Sequence, residues 1–495
     1  MRQSRLLIML LSLMLVQANI SAGEQEAVEE TGKVSLSLSD CLNTALANNI
    51  DIKIAKIDSA LKKEDIRLAD SMFDATLTGL LAFENDERRQ PNVIMGTQDV
   101  KAYYDFGVSK KIFTGTELSI DYSDTRSSSD SAFVTINPQH EAEVSFGMRQ
   151  PLVKNILGYI DRRTVRLSRI EARIAGIEAL EAIETKLAET IKAYWKLVFE
   201  YQNVALMEEI YEQAKGLHET FQRHLATGYV EQTAVYEVEA NMRARAAELE
   251  IAKNRLLNAN NNLKLLMNEV GDYIIVPTAK LETLKENANL AESLNEAFIA
   301  NRQYRVKKQN LRARKVDLEM KENALWPEID LVGTYALNGI DRKSLKANRQ
   351  ITSEDNSYYY GGIEMKIPVE NNDARAEFNK AKLNKHKAIL EIIHVEKKIL
   401  TFIDDAVRNV NLHLENSAKW TTIKNIQYKK FREEEKKLRY GRTTSKIVVD
   451  YQRDFLQAAL SEHVAILDYY VSLVDLENAK DTLLNRVGIF TYEDI

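Results

Sequence analysis

What most constrains this chain is where its prolines are missing. The six prolines stand at 91, 138, 151, 277, 327 and 368, so residues 152–276 and 369–495 contain none. Proline removes a backbone donor and clashes with the preceding helical turn, so stretches without it are free to run as long helices. Each is long enough for two. In the first, Ile170, Ile174, Ile177, Leu180, Ile183, Leu187, Ile191, Tyr194 and Val198 recur at a mean spacing of 3.5 residues, the coiled-coil period.

The two stretches also resemble each other. Placing Gly228 on Gly441 brings Thr233 to Met267 against Lys446 to Lys480, with Ala252 on Ala465 and Leu263 on Leu476. Upstream, Leu42 to Asn49 faces Leu294 to Asn301, and Pro151-Leu-Val faces Pro368-Val-Glu. Three segments repeating in one order indicate an internal duplication. Each half then reads as short helix, strand region, long helix, glycine turn and short helix. The first repeat, 23–270, has a helix over 38–70, strands within 74–150, a long helix over 155–225 and a helix over 232–268. A connector, 271–288, leads to the second repeat, 289–487, with a helix over 289–324, strands within 328–368, a long helix over 372–438 and a helix over 445–485. Residues 488–495 form a tail. At 1.5 Å per residue each long helix reaches about 100 Å, and the short helices are expected to stack end to end beside it.

The strand regions carry a different period. Ala142, Val144, Phe146 and Met148 alternate with Glu141, Glu143, Ser145 and Arg149, and Ile363, Met365 and Ile367 alternate with Glu364 and Lys366. One face is apolar and the other polar, as a water-filled barrel in lipid requires and as a half-buried soluble sheet would also permit. Tyr103, Tyr104, Tyr122, Tyr358, Tyr359 and Tyr360 read as an aromatic girdle, and residues 124–131 and 341–357 as polar loops. The first half carries an extra strand-like pair, Ala102 to Ile112 and Glu117 to Ser123, with no counterpart in the second.

The N-terminus favours the barrel. Arg2 and Arg5 precede an apolar run from Leu6 to Val16 and a small polar stretch to Gly23, the pattern of a secretory signal peptide over residues 1–22. No later stretch holds the roughly 18 consecutive apolar residues of a membrane helix. The single cysteine, Cys41, forms no intramolecular bridge and lies too far along to carry a lipid anchor. With 67 basic against 73 acidic residues and no basic block, nucleic acid is excluded as a partner.

This order of elements resembles the TolC family of trimeric outer-membrane efflux and secretion ducts over residues 36–487. The most specific pieces are Gln150-Pro-Leu, Ala193-Tyr-Trp-Lys-Leu-Val and the two glycine turns with their following helices. The resemblance implies a mainly α fold with a membrane β-barrel portion. Duplicated helical hairpins form a trimeric α-barrel, and the strands join a shared transmembrane barrel. It implies a homotrimer in the cell outer membrane with a periplasmic extension, surrounded by lipid and engaged by a periplasmic adaptor and an inner-membrane transporter. Family members usually give four strands per chain, so the extra pair either raises the count to six or folds outside as a loop.

The resemblance also implies site residues. Family members carry acidic residues after the second glycine turn, ringing a periplasmic constriction. The matching position is Asp450, while the other acidic position holds Ile447. Three Asp450 carboxylates near an axis would repel one another and bind cations; an ordinary pair with Arg453 is the alternative. Thr233 and Glu237 are the analogues in the first repeat. Gly228, Tyr229, Gly441 and Arg442 form the turns where the adaptor docks. Glu391-Ile-Ile-His394 is half of a di-iron pattern and reads as a surface pair. No nucleophile elbow, phosphate loop or zinc pattern is present, so neither catalysis nor a cofactor is expected. The competing expectation is a secreted or periplasmic coiled-coil scaffold without channel activity.

Overall fold

The computed structural model describes residues 32–88, 96–282, 286–353 and 356–487, so the signal-type segment and the C-terminal tail lie outside the described residues. The first half contains strand β1 (Gly32–Leu36), helices α1 (Leu38–Asn48) and α2 (Ile50–Asp70), and strands β2 (Ala75–Asp86), β3 (Asp99–Lys111), β4 (Glu117–Ser129) and β5 (Gln139–Pro151). Helices α3 (Tyr159–Ala226) and α4 (Gln232–Met267) complete it, and strand β6 (Tyr273–Pro277) follows. The second half contains α5 (Leu290–Ala300), α6 (Arg302–Asn323), β7 (Glu328–Asp341), α7 (Ser344–Ser353) and β8 (Ser357–Lys366). It ends with α8 (Asn372–Arg439), α9 (Ser445–Lys480) and α10 (Leu483–Val487).

The expected helix over 38–70 is two helices, because Asn49 turns to an extended ψ of 127° and its side chain accepts the Ile52 backbone N–H. Asn301 breaks the helix expected over 289–324 in the same way. The long helices are each 68 residues, about 102 Å at the helical rise, and the helices after the glycine turns are each 36. Of the nine periodic residues in α3, all but Leu180 are buried, so the coiled-coil spacing marks the packed side. α2 and α4 meet end to end beside α3, where Asn49 Nδ2 donates to the Leu266 carbonyl at 2.6 Å. α6 and α9 meet likewise, the Arg302 N–H reaching Asp481 at 2.7 Å.

The largest core lies midway along the helices. Tyr194, Leu197, Ile403 and Tyr469 are fully buried there, and a buried Leu or Ile contributes about 1.5–3 kcal/mol. β1 and β6 form a parallel pair beside this core, so the connector expected at 271–288 contains a strand. Tyr194 holds the pair in place: its hydroxyl donates to the Leu36 carbonyl and accepts from the Ala279 N–H.

The other six strands form one antiparallel sheet in the order β2-β3-β4-β5-β7-β8. The extra pair of the first half therefore joins the sheet rather than folding outside it. Two loop expectations are overturned. β4 continues through residues 124–129 because Asp124 to Ser129 keep register with β3 and, up to Ser127, with β5. Residues 344–353 form α7, whose Ala347 and Ile351 bury against Ala142.

Candidate channel wall and hairpin-tip gate

Register assigns each strand residue to one of two faces. The row Leu77, Val108, Ile120, Phe146, Tyr335 and Tyr359 crosses all six strands on one face. That face is apolar and exposed: Leu77, Ile120, Phe146, Ile363 and Met365 all stand open. Along β7 its apolar band runs from Ile329 to Leu337, nine residues, which suits a tilted membrane strand. The opposite face holds eleven carboxylates, among them Glu84, Asp121, Glu141 and Glu143, against the four cations Lys101, Lys111, Arg149 and Lys366. Arg149 is shared by Asp330 at 2.8 Å and Glu364 at 2.6 Å. The expected tyrosine girdle divides between the faces. Tyr104, Tyr122 and Tyr359 lie on the apolar side, whereas Tyr103, Tyr358 and Tyr360 lie on the polar side, because side chains alternate along a strand.

The outer edges of this sheet, on β2 and β8, pair with no further strand among the described residues. Two helix faces are also open. On α2, Ile50, Ile54, Ile57, Leu61 and Leu68 are exposed at coiled-coil spacing, and on α8 so are Leu383, Leu390 and Leu400.

At the other end of the helices the hairpin tips share one geometry. Gly228 has φ +74° and Gly441 φ +66°, left-handed values that favour glycine. Each closes its helix with paired bonds: Gly228 N–H to Leu225 and Tyr229 N–H to His224, then Gly441 N–H to Leu438 and Arg442 N–H to Lys437. Tyr229, 83% exposed, and the exposed Arg442 stand at these turns. Between the tips lies a cleft of about 1060 Å³ lined by Phe221, Tyr229, Val230 and Leu438.

The expected constriction residues have partners inside the chain. Asp450, its side chain 40% exposed, accepts from Arg453 at 2.5 Å. Thr233 is exposed, its hydroxyl 3.4 Å from Glu231. Glu237 accepts from the Ser445 hydroxyl at 2.7 Å, a bond that joins α4 to α9. Sequence reasoning missed a second bond between the same helices, the buried Asn241 Nδ2 donating to Gln452 Oε1 at 3.1 Å. Polar residues at neighbouring turns of the two aligned helices were its only signal.

Sequence reasoning also missed a buried charge cluster where α6 and α9 abut. Arg302, 7% exposed, donates to Glu184 at 2.5 Å and to Asp481 at 3.2 Å. Glu184 also accepts the Leu483 N–H. Burial pushes Asp481 up to about 6, outweighing the Arg302 backbone N–H and charge, and Glu184 adds to the rise. Burial raises Glu184 as well, against the pull of Arg302. One cation thus serves two buried carboxylates, and burial opposes the charge on both.

Other acidic groups have plain partners. Glu391 pairs with Lys307 at 3.0 Å, Asp404 and Asp405 take Arg408, and Glu433 takes Lys436. Among the described residues, no group of three or more His, Cys, Asp or Glu is placed to hold a metal ion, and no helix is long and apolar enough to cross a membrane.

The fold is shared with crystallised outer membrane channels. CmeC of Campylobacter jejuni matches at 15% identity and a TM-score of 0.67, over 92% of this chain and 87% of its own. MtrE of Neisseria gonorrhoeae, crystallised in its open state, matches at 13% and 0.66, over 92% and 93%. VceC of Vibrio cholerae matches at 12% and 0.66, over 90% and 96%. No protein-family model matches the chain, and no curated protein matches it. At these identities the likeness is one of fold: mainly helical with strands, as the TolC resemblance implies.

Proposed function

We propose that this chain, whose fold is that of the TolC-type outer-membrane channels, is a passive export conduit of the outer membrane rather than an enzyme. The observation that carries this reading is the single six-stranded sheet, apolar and exposed on one face and acidic on the other, standing at one end of helices about 102 Å long. A bilayer accepts strands only in a closed barrel, since an open edge leaves backbone groups unpaired in lipid.

Six strands with both edges open close only with further copies. Three copies give eighteen strands, a number at which known barrels enclose an aqueous channel. The open apolar stripes on α2 and α8 are then covered by neighbouring copies, and the helices enclose a periplasmic tunnel. The tips around Gly228, Tyr229, Gly441 and Arg442 are the docking ends for a periplasmic adaptor, which couples the duct to an inner-membrane transporter. Asp450, with Thr233 and Glu237 at matching depth, lines the closing constriction.

The test is single-channel conductance of the full-length protein in a planar bilayer, wild type beside Asp450→Ala. A cation-selective conductance supports the conduit, and a change of selectivity on substitution supports the Asp450 ring. No conductance and no membrane partition would favour a periplasmic scaffold.

A further inference from the structure

α7 sits at the sheet end farthest from the helical hairpins, because β7 leads into it and β8 returns from it. It lies on the apolar, outward face. Ala347 and Ile351 pack against Ala142, with Val144 and Leu337 beside them, and the helix backbone crosses so close to Gly339 that a side chain there would strike the Ala347 carbonyl. Three polar ties fix its position: Ser344 Oγ donates to Asp124 at 2.6 Å, Tyr122 donates to Asn348 at 2.9 Å, and the Ile340 N–H donates to Gln350 at 2.8 Å. Asp124, otherwise a carboxylate on the apolar face, is thereby buried and also paired with His140 at 3.0 Å.

The solvent side of this anchored helix is cationic. Arg342, Lys343, Lys346 and Arg349 are all exposed, and none forms an ion pair within the described residues. Arg126 joins them on the same face, in the row that ends at Asp341. Leu345 projects among them, 87% exposed. Glu354 and Asp355, outside the described residues, leave the segment 342–355 with a positive balance. The apolar band on β7 ends at Leu337, so the cations begin within a few residues of where the hydrocarbon would end.

We propose that α7 and the adjoining strand ends bind phosphate-bearing lipid headgroups of the outer leaflet. The inference rests on the outer-membrane reading above. Arginine and lysine held at a membrane interface attract anionic headgroups, and the guanidinium fork matches phosphate oxygens. An exposed leucine among cations suits insertion at the boundary of headgroup and acyl chain. Continuity with the apolar band favours a lipid over an acidic protein partner.

The test uses the full-length protein in phosphatidylcholine vesicles with spin-labelled phosphatidic acid or spin-labelled phosphatidylcholine as the probe. The motionally restricted spectrum reports lipid at the protein boundary. Wild type is expected to enrich phosphatidic acid over phosphatidylcholine about fivefold or more, and to lose most of this in 1 M NaCl. A variant with Arg342→Gln, Lys343→Gln, Lys346→Gln and Arg349→Gln should fall close to no preference, while Arg342→Lys with Arg349→Lys, which keeps the charge but loses the fork, should retain most of it. Should the four-site variant not insert, Lys346→Gln with Arg349→Gln is read in its place and should show a partial fall. Equal enrichment in wild type and variant overturns the proposal. Absence of any restricted lipid around wild type overturns the membrane reading itself, and this proposal with it.

Discussion

Asn49 and Asn301, 252 positions apart, hold the same backbone conformation, φ −56° and ψ 127° against φ −54° and ψ 118°. Each ends one helix and caps the next, accepting from Ile52 at 3.1 Å and from Tyr304 at 2.8 Å. Asn268 and Asp481 repeat the relationship at the far ends of α4 and α9, both left-handed with φ 53° and 58°. The duplication thus survives in backbone angles where side chains have diverged.

Capping of this kind has a measurable cost of removal. Asn301→Ala should destabilise by about 1 kcal/mol, the usual loss for a helix N-cap. Asn49→Ala should cost more, because it also removes the bond to Leu266 that joins α2 to α4. Denaturant unfolding of the two variants checks the order, and an equal effect would mean the α2–α4 junction adds nothing.

The Arg302 cluster gives stability a definite pH dependence. Asp481, pushed up to about 6 from 3.8, binds its proton more tightly in the folded chain than in the unfolded one. Its stabilising contribution is therefore full below about 4 and is lost as pH rises to about 6. Asp481→Asn, which tolerates the left-handed backbone, should flatten that slope between pH 4 and 6 in urea titrations. Arg302→Met should destabilise by about 3–5 kcal/mol at neutral pH, since it strands buried carboxylates.

If the proposed conduit is cation-selective, substitutions on the polar sheet face and at the hairpin tips distinguish two places where that selectivity could arise. Replacing Glu141 and Glu143 with Gln should lower cation preference in conductance without altering gating, because these groups sit in the strand wall. Asp450→Ala should alter both, since it frees Arg453 at the hairpin end. If the wall substitutions leave reversal potentials unchanged, selectivity is set elsewhere.

The tip glycines are a purely backbone requirement. Beyond the adjoining chain, nothing lies within 4 Å of a Cβ added at Gly228 or Gly441, yet both φ values are left-handed. Gly441→Ala should cost about 1 kcal/mol through backbone conformation alone. Gly441→Asn should cost less, because asparagine visits this region more readily. Comparing their unfolding midpoints tests this.

The helices were legible in the sequence because a helix of 68 residues needs only an unbroken pattern, and proline absence with the α3 heptads supplies one. α7 was not, since in its ten residues only Ala347 and Ile351 are buried and the other apolar residue, Leu345, points to solvent. The distal part of β4 was also hidden: Ser127 and Ser128 carry turn-type side chains and are held extended only by neighbours in register. β1 and β6 pair across more than two hundred residues, a partnership no local period encodes, although Tyr273-Ile-Ile-Val is strand-like by itself. At the site, acidity of the wall could be read from alternation, whereas Glu237 bonding to Ser445 could not, because it depends on how two hairpins dock.

Equal helix lengths make the two halves of this chain matched rulers. Because α3 and α8 are both 68 residues and α4 and α9 both 36, the two tips finish level. Each residue inserted in one hairpin alone would raise a step of about 1.5 Å at that tip. A lengthening that keeps the tips level and the packed faces in phase must be a paired event, by whole heptads, in both halves at once. The reach of the molecule is therefore a quantised property that drifting side chains leave untouched.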